Sequence, residues 1–532
     1  MLDSTAVVVL AALAAASWLA LRRPSTTPAP PTFGPWYLPN FARGLLAVYE
    51  LGKDDTAFVL GLRRLGPVVY IPWPLAQYFV TTNEAIQKVY REPEAALSFF
   101  PIRRRISHTV FSMSFWQDRV FLDETLFPVH AKAMTRASLT PSLARFTTSM
   151  RESIDTLAAK VDASPDGEAI VDLSTWVLDV LWEAGLCGIF GGQCTDASGI
   201  AKKDLFRNFV AFDGSFPIEA SGIVPSWLLK RIPEVQAGRK SRDVLVDVIE
   251  AWIKDGVPGV ADGPCTALVD LTLEYGANTR DAALILTSLF WALQANAPFV
   301  AMQLITYILQ SPLSVRQALQ AEADASFSDA AAADDLDPLT FSHLSRTMPL
   351  LQSCITETLR LGTLSFSIRL VSQPFVVPGG DGSPDYVLPV GSTLISPPRI
   401  VHLDERRYGE TVMAWDGERF YDGPPGSDAE KVGEKSKMAR ETYGFGGGVS
   451  KCEGQHFATA ELKSFISLVL SKFDIEAVAP SPEMLDKYDR IPLVGVDEPG
   501  YKPKPLPGRT GVGTFQYPQD VPMRMRVRRR KI

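Results

Sequence analysis

A cysteine near the C-terminal end of the chain lies in a glycine-rich loop. Cys452 comes four residues after Gly448 and two residues before Gly454, and an apolar segment with helical periodicity follows. Glycines let backbone N–H groups approach a sulfur closely, and these groups, together with the start of the next helix, stabilise a negative charge. The loop therefore predicts an ionised thiol that can bind a metal or act as a nucleophile.

Three other interpretations of this loop, as a structural thiol, a catalytic nucleophile or a phosphate-binding loop, each require different neighbouring residues. A buried structural thiol needs only apolar surroundings, because free cysteine is among the most buried residue types, and the loop alone leaves this interpretation open. A catalytic nucleophile needs a base within hydrogen-bonding reach. His456 is four residues on, but no orienting carboxylate accompanies it. A phosphate-binding loop is excluded, because residues 444–451 do not satisfy G-x-x-x-x-G-K-[ST].

The spacing of the fixed residues narrows the interpretation. The loop resembles the haem-ligand signature of the cytochrome P-450 family, F-x-x-G-x-x-x-C-x-G-x-x-x-A, which it matches at Phe445, Gly448, Cys452, Gly454 and Ala458. The resemblance implies that Cys452 is the axial ligand of a haem b iron, and that Phe445, Gly448 and Gly454 belong to the cofactor-binding loop.

Charged residues upstream of the loop fit the same family. Glu357 and Arg360 are three residues apart in an amphipathic segment, which places both charges on one helix face, and Arg419 precedes an aromatic residue. Taken alone, Glu357 and Arg360 are typical of a solvated ion pair. The resemblance implies instead a Glu–Arg–Arg network that holds the scaffold of the haem loop, with one carboxylate satisfying two guanidinium groups.

A further arginine, Arg369, stands where family members pair an arginine with a haem propionate, and guanidinium geometry suits a carboxylate. The loop departs from the common family pattern at Ser450 and Gln455, where basic residues are frequent. The segment around His130 lacks the tryptophan of the family's W-x-x-x-R, so the resemblance assigns none of its residues. We expect His130 at a helix start or on the surface, and His402 in a turn.

Residues 281–309 are apolar almost all round, which is typical of a buried helix. Pro298 cannot donate to the carbonyl of Gln294, so a kink or local opening is expected beside Asn296. Family members usually carry an acid followed by a threonine here, and this chain has Ala295 and Asn296. That departure resembles the branch containing sterol 7α-hydroxylases and prostacyclin synthase. Asn296 is then a candidate for proton handling, unless it only satisfies backbone groups freed by the proline.

The N-terminal segment predicts a membrane anchor. Residues 5–21 are uncharged and apolar and are followed by Arg22 and Arg23, which favours a transmembrane helix within residues 1–23 with the following chain in the cytosol. Residues 24–35 are rich in proline and threonine and predict a semi-rigid linker. The resemblance then implies a haem-thiolate domain over residues 36–532, anchored at the endoplasmic reticulum membrane by a single pass.

Composition agrees with an enzyme rather than a nucleic-acid-binding protein, because the formal net charge is −7 and acidic and basic residues are interspersed. The five cysteines show no paired spacing for zinc. Helical periodicity dominates and β signals are few, so we expect a mainly α fold with a smaller β-rich lobe. The basic residues at 524–528 alternate with apolar ones and predict a terminal β-strand with one solvated face.

The resemblance to the cytochrome P-450 family implies a monooxygenase that oxidises a lipophilic terpenoid, steroid or polyketide-like molecule, in secondary-metabolite biosynthesis. Its cosubstrate would be O2, and its electrons would come from NADPH through NADPH–cytochrome P-450 reductase. Two alternatives stay open. One is a haem-thiolate isomerase or dehydratase that converts a lipid peroxide without NADPH, and the other is a membrane-anchored haem protein without catalysis.

Overall fold

The computed structural model describes residues 28–115, 117–332, 337–380, 382, 384–423, 433–518 and 520–530. The anchor expected within residues 1–23 and the first part of the expected linker lie outside the described residues. Two described helical stretches, Leu173–Phe190 and Thr279–Gln310, are long and apolar enough to cross a membrane. Both are mostly buried inside the protein, at 72% and 67%, so they serve as core helices.

Helices dominate the fold, as expected from the sequence. In chain order they are α1 Asn40–Lys53, α2 Asp55–Leu62, α3 Asn83–Arg91, α4 Phe100–Thr109, α5 Phe127–Ala133, α6 Arg136–Asp162, α7 Leu173–Phe190, α8 Lys202–Ser221, α9 Ser226–Leu229, α10 Pro233–Lys254, α11 Pro264–Glu274, α12 Thr279–Gln294, α13 Ala297–Gln310, α14 Leu313–Ala332, α15 Phe341–Arg346, α16 Pro349–Gly362, α17 Arg399–His402, α18 Glu405–Tyr408, α19 Glu434–Arg440 and α20 Gln455–Lys472. A π-helical segment, Val120–Leu126, leads into α5, and 3-10 helices span Gly409–Thr411, Gly448–Ser450 and Pro482–Lys487.

The strands are short and form four small sheets. They are β1 Val68–Ile71, β2 Gln77–Val80, β3 Leu97–Ser98, β4 Glu168–Asp172, β5 Ser367–Val371, β6 Phe375–Val377, β7 Tyr386–Leu388, β8 Thr393–Ser396, β9 Phe473–Val478, β10 Tyr488–Ile491, β11 Gly500–Pro503 and β12 Arg524–Arg529. The largest sheet has the order β1-β2-β8-β5-β3, in which only β2 and β8 are parallel. The others are β4-β12-β9, β10-β11 and β6-β7.

The terminal strand expected from the basic run is confirmed as β12, the central strand of its sheet. Met525 and Val527 are fully buried, whereas Arg524 is exposed. Arg528 on the solvated face donates to Glu168 on β4, with 2.6 Å between Nε and Oε1. The alternation of residue types therefore determines which face of this strand is buried.

The expected break in the long apolar helix is also confirmed. Helix α12 begins with a capping box, in which Asn278 and Asp281 satisfy each other's backbone N–H groups. It ends at Gln294, and α13 begins at Ala297 with Pro298 in its first turn. Asn296, between the two helices, has φ −131° and ψ −52°, outside the helical region. The missing donor of Pro298 therefore opens the chain where the sequence predicted it.

Apolar residues gather in two main cores. The larger core is formed by helices of the body and includes α7, α12, α13 and α20. The smaller core lies around β1, β2, β5, β8 and helices α2 and α3. The two correspond to the helical body and the β-rich lobe expected from the sequence, and the site lies where they meet.

Candidate functional site

An internal cavity of about 520 Å³ separates the helical body from the β-rich lobe. Its walls are mostly aliphatic and aromatic side chains. The segments that supply them include the Cys452 loop with the start of α20, α12 with the break after it, α4, α8, the start of β5 and the loop 510–514. Cavities of this size and character typically bind small lipophilic molecules.

Cys452 lies in the wall of this cavity, and its side chain is exposed to the cavity rather than packed in the core. The other described cysteines, 187, 194, 265 and 354, are buried or half-buried. The Cys452 backbone N–H donates to the Phe445 carbonyl at 2.9 Å, which closes the loop, and α20 begins three residues later. A purely structural role for this thiol is therefore disfavoured, because it presents its sulfur to an open space.

The electrostatics of the thiol differ from the expectation. Burial raises the pKa of Cys452, and the backbone N–H groups of Gly454 and Gln455 lower it only in part. The loop amides by themselves therefore do not keep the thiol ionised, because desolvation of a buried thiolate outweighs two hydrogen bonds. The thiolate depends on a cation at the sulfur.

Tight packing explains two of the loop glycines. A Cβ on Gly448, which has φ +59°, would lie 2.4 Å from the Tyr90 carbonyl oxygen, and a Cβ on Gly447 would lie 2.6 Å from the Tyr90 ring. Gly454 is different, because a Cβ there would meet Cys452 Sγ at 3.8 Å, an ordinary contact. Helix α3, which carries Tyr90, thus holds the outer side of the loop and leaves the sulfur side open.

Glu357, Arg360 and Arg419 form one buried network. Arg360 donates to Glu357 through Nε at 2.7 Å and through Nη2 at 2.8 Å, and Arg419 Nε donates to the same carboxylate at 2.9 Å. Glu357 and Arg360 are 0% exposed, so the solvated-pair interpretation is wrong. The remaining donors bind backbone carbonyls in the segment 402–414. This ion network thereby fixes the chain that leads to the Cys452 loop.

Arg369 on β5 is fully buried directly behind the loop. Its Nη2 donates to the Gly447 carbonyl at 3.0 Å, and its Nη1 donates to the Ile368 carbonyl at 3.0 Å. Its Nε is buried and has no partner within the described part of the chain. Burial lowers the pKa of Arg369, which marks an incompletely compensated cation that can accept a further anionic partner.

Asn296 lies in the cavity wall at the break between α12 and α13. Its Oδ1 accepts the backbone N–H of Thr514 at 3.2 Å. The backbone group that it satisfies therefore belongs to the C-terminal loop and not to the turn opened by Pro298. The sequence placed Asn296 correctly at the break, but its partner is 218 residues away.

A charged cluster beside the loop was not expected from the sequence. Glu453 accepts hydrogen bonds from His130 on α5 and from Arg103 on α4, the latter at 2.9 Å. Burial alone would raise the pKa of Glu453, but the His130 hydrogen bond and the Arg103 charge lower it to about 2. The expected position of His130 near a helix start is confirmed, since α5 begins at Phe127, but the expected surface position is wrong, because this side chain is largely buried and lines the cavity.

His402 also differs from its expected role. It is the last residue of α17 and is 0% exposed, and neither ring nitrogen has a partner among the described residues. Burial, with the nearby charges of Arg399 and Arg360, holds its pKa well below 6.5. It is a neutral core residue whose carbonyl, rather than whose ring, contacts the ion network.

Glu461 on α20 is a second group that the sequence did not single out. It is 2% exposed and lies in the cavity wall, and burial raises its pKa well above the ordinary value. A carboxyl without a cationic neighbour is neutral in such a place. One sequence signal could have found it, since position 461 is on the same helical face as Ala458.

A broad concavity of about 590 Å³ covers the opposite side of the Cys452 loop. Four exposed basic residues stand in it: Arg91, Arg136, Arg440 and Lys451. The loop residues 444–448 form part of its floor. This outer surface, which we call the outer concavity, is therefore positively charged and separated from the cavity only by the loop.

The described residues fit a haem. A cysteine sulfur open to an apolar cavity could bind the haem iron, and the unpartnered Nε of buried Arg369 would offer a donor near the loop. No cluster of three or more metal-binding side chains occurs within the described ranges.

Comparison with known proteins identifies relatives of this chain. The family model for cytochrome P-450 matches residues 62–504. The chain is 27% identical over 362 residues to a Sus scrofa protein named 5-beta-cholestane-3-alpha,7-alpha-diol 12-alpha-hydroxylase, covering 66% of this chain and 65% of that protein. It is 28% identical to a Homo sapiens 7-alpha-hydroxycholest-4-en-3-one 12-alpha-hydroxylase, covering 67% and 68%.

A third relative is a cholesterol 7-alpha-monooxygenase from Cricetulus griseus. It is 26% identical over 310 residues, covering 56% of this chain and 58% of the relative. The aligned parts span about two thirds or less of these relatives.

Proposed function

Since this chain belongs to the cytochrome P-450 family, we propose that it is a haem-thiolate monooxygenase that oxidises a lipophilic small molecule. The observation that carries the proposal is the sulfur of Cys452, which faces an apolar cavity large enough for a substrate. The family implies haem as the cofactor, O2 as cosubstrate and electrons from NADPH through a reductase.

In this proposal Cys452 binds the haem iron, and Arg369 pairs with a propionate through its unpartnered Nε. When bound, a thiolate-ligated haem supplies the activation of dioxygen. Phe445, Gly448 and Gly454 keep the loop in place beside the sulfur. Glu357, Arg360 and Arg419 hold the segment that supports this loop.

The cavity residues position the substrate and control water. Apolar side chains of α12, α13 and the β-rich lobe, such as Leu289, Val300 and Phe366, bind the substrate and exclude bulk water. Asn296 stands at the one break in the long apolar helix, where its amide can hold a water or an oxygen atom by hydrogen bonding. We assign it the handling of protons.

The names of the relatives suggest the class of substrate. Three of them are named for hydroxylation of cholestane derivatives or cholesterol. By analogy, we propose a rigid polycyclic substrate such as a steroid or terpenoid, in specialised metabolism. Comparing metabolites of the source organism with and without this chain tests the proposal, and an unchanged profile contradicts it.

Two partners follow from the same proposal. The positive outer concavity suits an acidic reductase that delivers electrons on the thiolate side. Lys451→Glu should raise the KM for the reductase, whereas Lys504→Glu, outside the concavity, should not. The apolar run at residues 5–21 is proposed to anchor the protein in the endoplasmic reticulum membrane.

Two measurements test the core of the proposal. Reduced protein mixed with carbon monoxide should show the red-shifted absorption of thiolate-ligated haem, and Cys452→Ser should lose it while Cys187→Ser keeps it. With a reductase present, substrate should then trigger coupled consumption of NADPH and O2. Absence of the absorption from the unmodified protein would refute the proposed haem ligation.

One observation favours an isomerase or dehydratase as the second candidate. The residues at the break are Ala295 and Asn296, so neither the acid nor the alcohol of the usual proton relay is present. Rearrangement of a lipid peroxide needs no such relay. Conversion of a lipid peroxide without NADPH or O2 would support this candidate, and oxygen uptake coupled to product formation would exclude it.

A further inference from the structure

A buried cluster of polar side chains lies behind the cavity wall opposite the Cys452 loop. At its centre is Asp213 on α8, which is 3% exposed. Its carboxylate accepts Trp291 Nε1 at 2.8 Å, Gln516 Nε2 at 2.9 Å and Arg509 Nη1 at 2.5 Å. The cluster therefore joins α8, α12 and the C-terminal loop around one ion pair.

Arg509 is the unsatisfied member of this cluster. It is 5% exposed, yet its Nε and Nη2 are buried and have no partner among the residues that the structure describes. A buried guanidinium with two nitrogens that lack a hydrogen-bond partner is stabilised by an acceptor oxygen beside it. The side-chain oxygen of Asn296 is an acceptor that shares a small space with Arg509 Nη2.

Gly513 brings Arg509 and Asn296 together. A Cβ built on Gly513 would lie 2.1 Å from Asn296 Oδ1 and 3.3 Å from Arg509 Nη2, so both atoms flank the same small space. Gly513 has φ +61° and lines the cavity together with Asn296. Only glycine leaves room for this approach.

The neighbouring groups determine which end of the Asn296 amide faces Thr514 and Arg509 and which end faces the cavity. Its oxygen and nitrogen are similar in size and opposite in hydrogen bonding, so neighbouring donors select the oxygen. Those neighbours are the Thr514 N–H, bound at 3.2 Å, and the Arg509 cation. Both favour the oxygen, which leaves the amide nitrogen on the cavity side.

We infer that Arg509, held in place by Asp213, is a positioning residue for the side-chain amide of Asn296. It keeps the N–H donors of Asn296 directed toward the cavity. This site therefore recognises an acceptor oxygen on the substrate. The inference rests on the proposed function, since it takes the cavity to bind a lipophilic substrate. A neutral oxygen such as a ketone fits best, because Asp213 already balances the Arg509 charge.

Measuring ligand affinities of the full-length holoprotein tests whether the Asn296 amide donates a hydrogen bond to the ligand. The probes are 5α-androstane and its 3-ketone and 17-ketone, which differ from the hydrocarbon by one acceptor oxygen. The better ketone should bind about tenfold more tightly than the hydrocarbon, the effect of one hydrogen bond. Asn296→Asp, which replaces the donor by an acceptor, should abolish this preference.

Variants of Arg509 test the positioning role. Arg509→Met frees the amide to turn and should lower the ketone preference to less than about threefold, whereas Arg509→Lys keeps the cation and should retain most of it. Arg530→Met is the control, because Arg530 pairs with Asp324 on α14 and does not line the cavity. Equal binding of ketones and hydrocarbon by the unmodified protein, or full preference in Arg509→Met, overturns the inference.

A second measurement does not depend on any ligand. In Asn296→Asp holoprotein, the titration of the introduced carboxyl is followed by isotope-edited infrared spectroscopy, with and without Arg509→Met. With Arg509 present its pKa should be at least about one unit lower, because a nearby cation stabilises the carboxylate. Equal titration overturns the inference. If the protein turns over no lipophilic compound but the titrations differ, the proposed function fails while the positioning by Arg509 stands.

Discussion

The two buried ion networks on either side of the cavity differ in how completely their donors are used. On the Cys452 side, all the guanidinium nitrogens of Arg360 and Arg419 reach Glu357, backbone carbonyls or a hydroxyl. On the opposite side, Arg509 uses Nη1 alone, and its other two nitrogens are buried without a partner among the described residues.

The difference indicates that the two networks have different structural roles. A saturated network has one low-energy arrangement, so it fixes the loop that carries Cys452. An unsaturated network keeps spare hydrogen-bonding capacity, which suits the wall that must adapt to a ligand. In the function that we propose, the fixed side carries the haem ligand and the other side contacts the substrate.

The largest effect is expected from breaking the saturated network. Glu357→Gln leaves two buried guanidinium groups without their counter-charge, and loss of one partner of a buried ion pair costs about 3–5 kcal/mol. We expect a matching drop in the free energy of unfolding, measured by denaturant titration, and loss of haem from purified protein. Glu418→Gln, at an exposed site in the same segment, is the control. Retention of stability and haem would contradict the fixing role.

A direct comparison of the two arginines sharpens the contrast. Arg360→Lys removes several hydrogen bonds that a single ammonium cannot replace, and should cost roughly 2–3 kcal/mol of unfolding free energy. In Arg509→Lys the ammonium still reaches Asp213, the one side-chain partner that Arg509 has among the described residues. This change should therefore cost less than about 1 kcal/mol of unfolding free energy. Equal losses in the two variants would show that the two networks do not differ as described.

Alanine variants of two glycines in the C-terminal loop distinguish the effect of backbone strain from that of side-chain crowding. Gly513 and Gly508 both have positive φ, at +61° and +92°, but a Cβ on Gly508 would meet nothing within 4 Å. Both changes to alanine carry the strain of a left-handed backbone, of about 1 kcal/mol. Only Gly513→Ala should also weaken ketone binding, because its Cβ displaces Asn296. Identical ligand affinities in the two variants would argue against this crowding.

The last prediction concerns the pH dependence of stability on the saturated side. His402 is neutral in the folded protein and has a pKa well below 6.5, so the unfolded chain binds a proton that the folded protein does not. Its stability contribution is therefore complete above pH 6.5 and falls on acidification, by up to about 1.4 kcal/mol per pH unit. His402→Gln should reduce the slope of unfolding free energy between pH 6.5 and 5. An unchanged slope would show that His402 is not the residue responsible.

Local patterns predicted the parts of the fold that short segments control. Pro298 fixed the position of the break beside Asn296, since a missing N–H acts within one helical turn. The alternation in residues 524–528 predicted both the strand and its buried face. The spacing of Glu357 and Arg360 placed their charges on one helix face but could not show that this face is buried.

Contacts between distant segments escaped sequence reasoning. His130 meets Glu453 across 323 residues, and Asp213 meets Arg509 across 296. Neither pair has a local signature, because the side chains belong to helices and loops whose packing brings them together. For the same reason the sequence could not show that burial raises the pKa of Cys452 despite the loop amides.

The sequence by itself predicted the haem cofactor, because the cysteine and glycines that match the family signature lie within a few residues of one another. It also determined where the long apolar helix opens. Only the tertiary structure decided which way the Asn296 amide faces and which donors stay unsatisfied. Those properties depend on Thr514, Gly513 and Arg509, which reach the site from the far end of the chain.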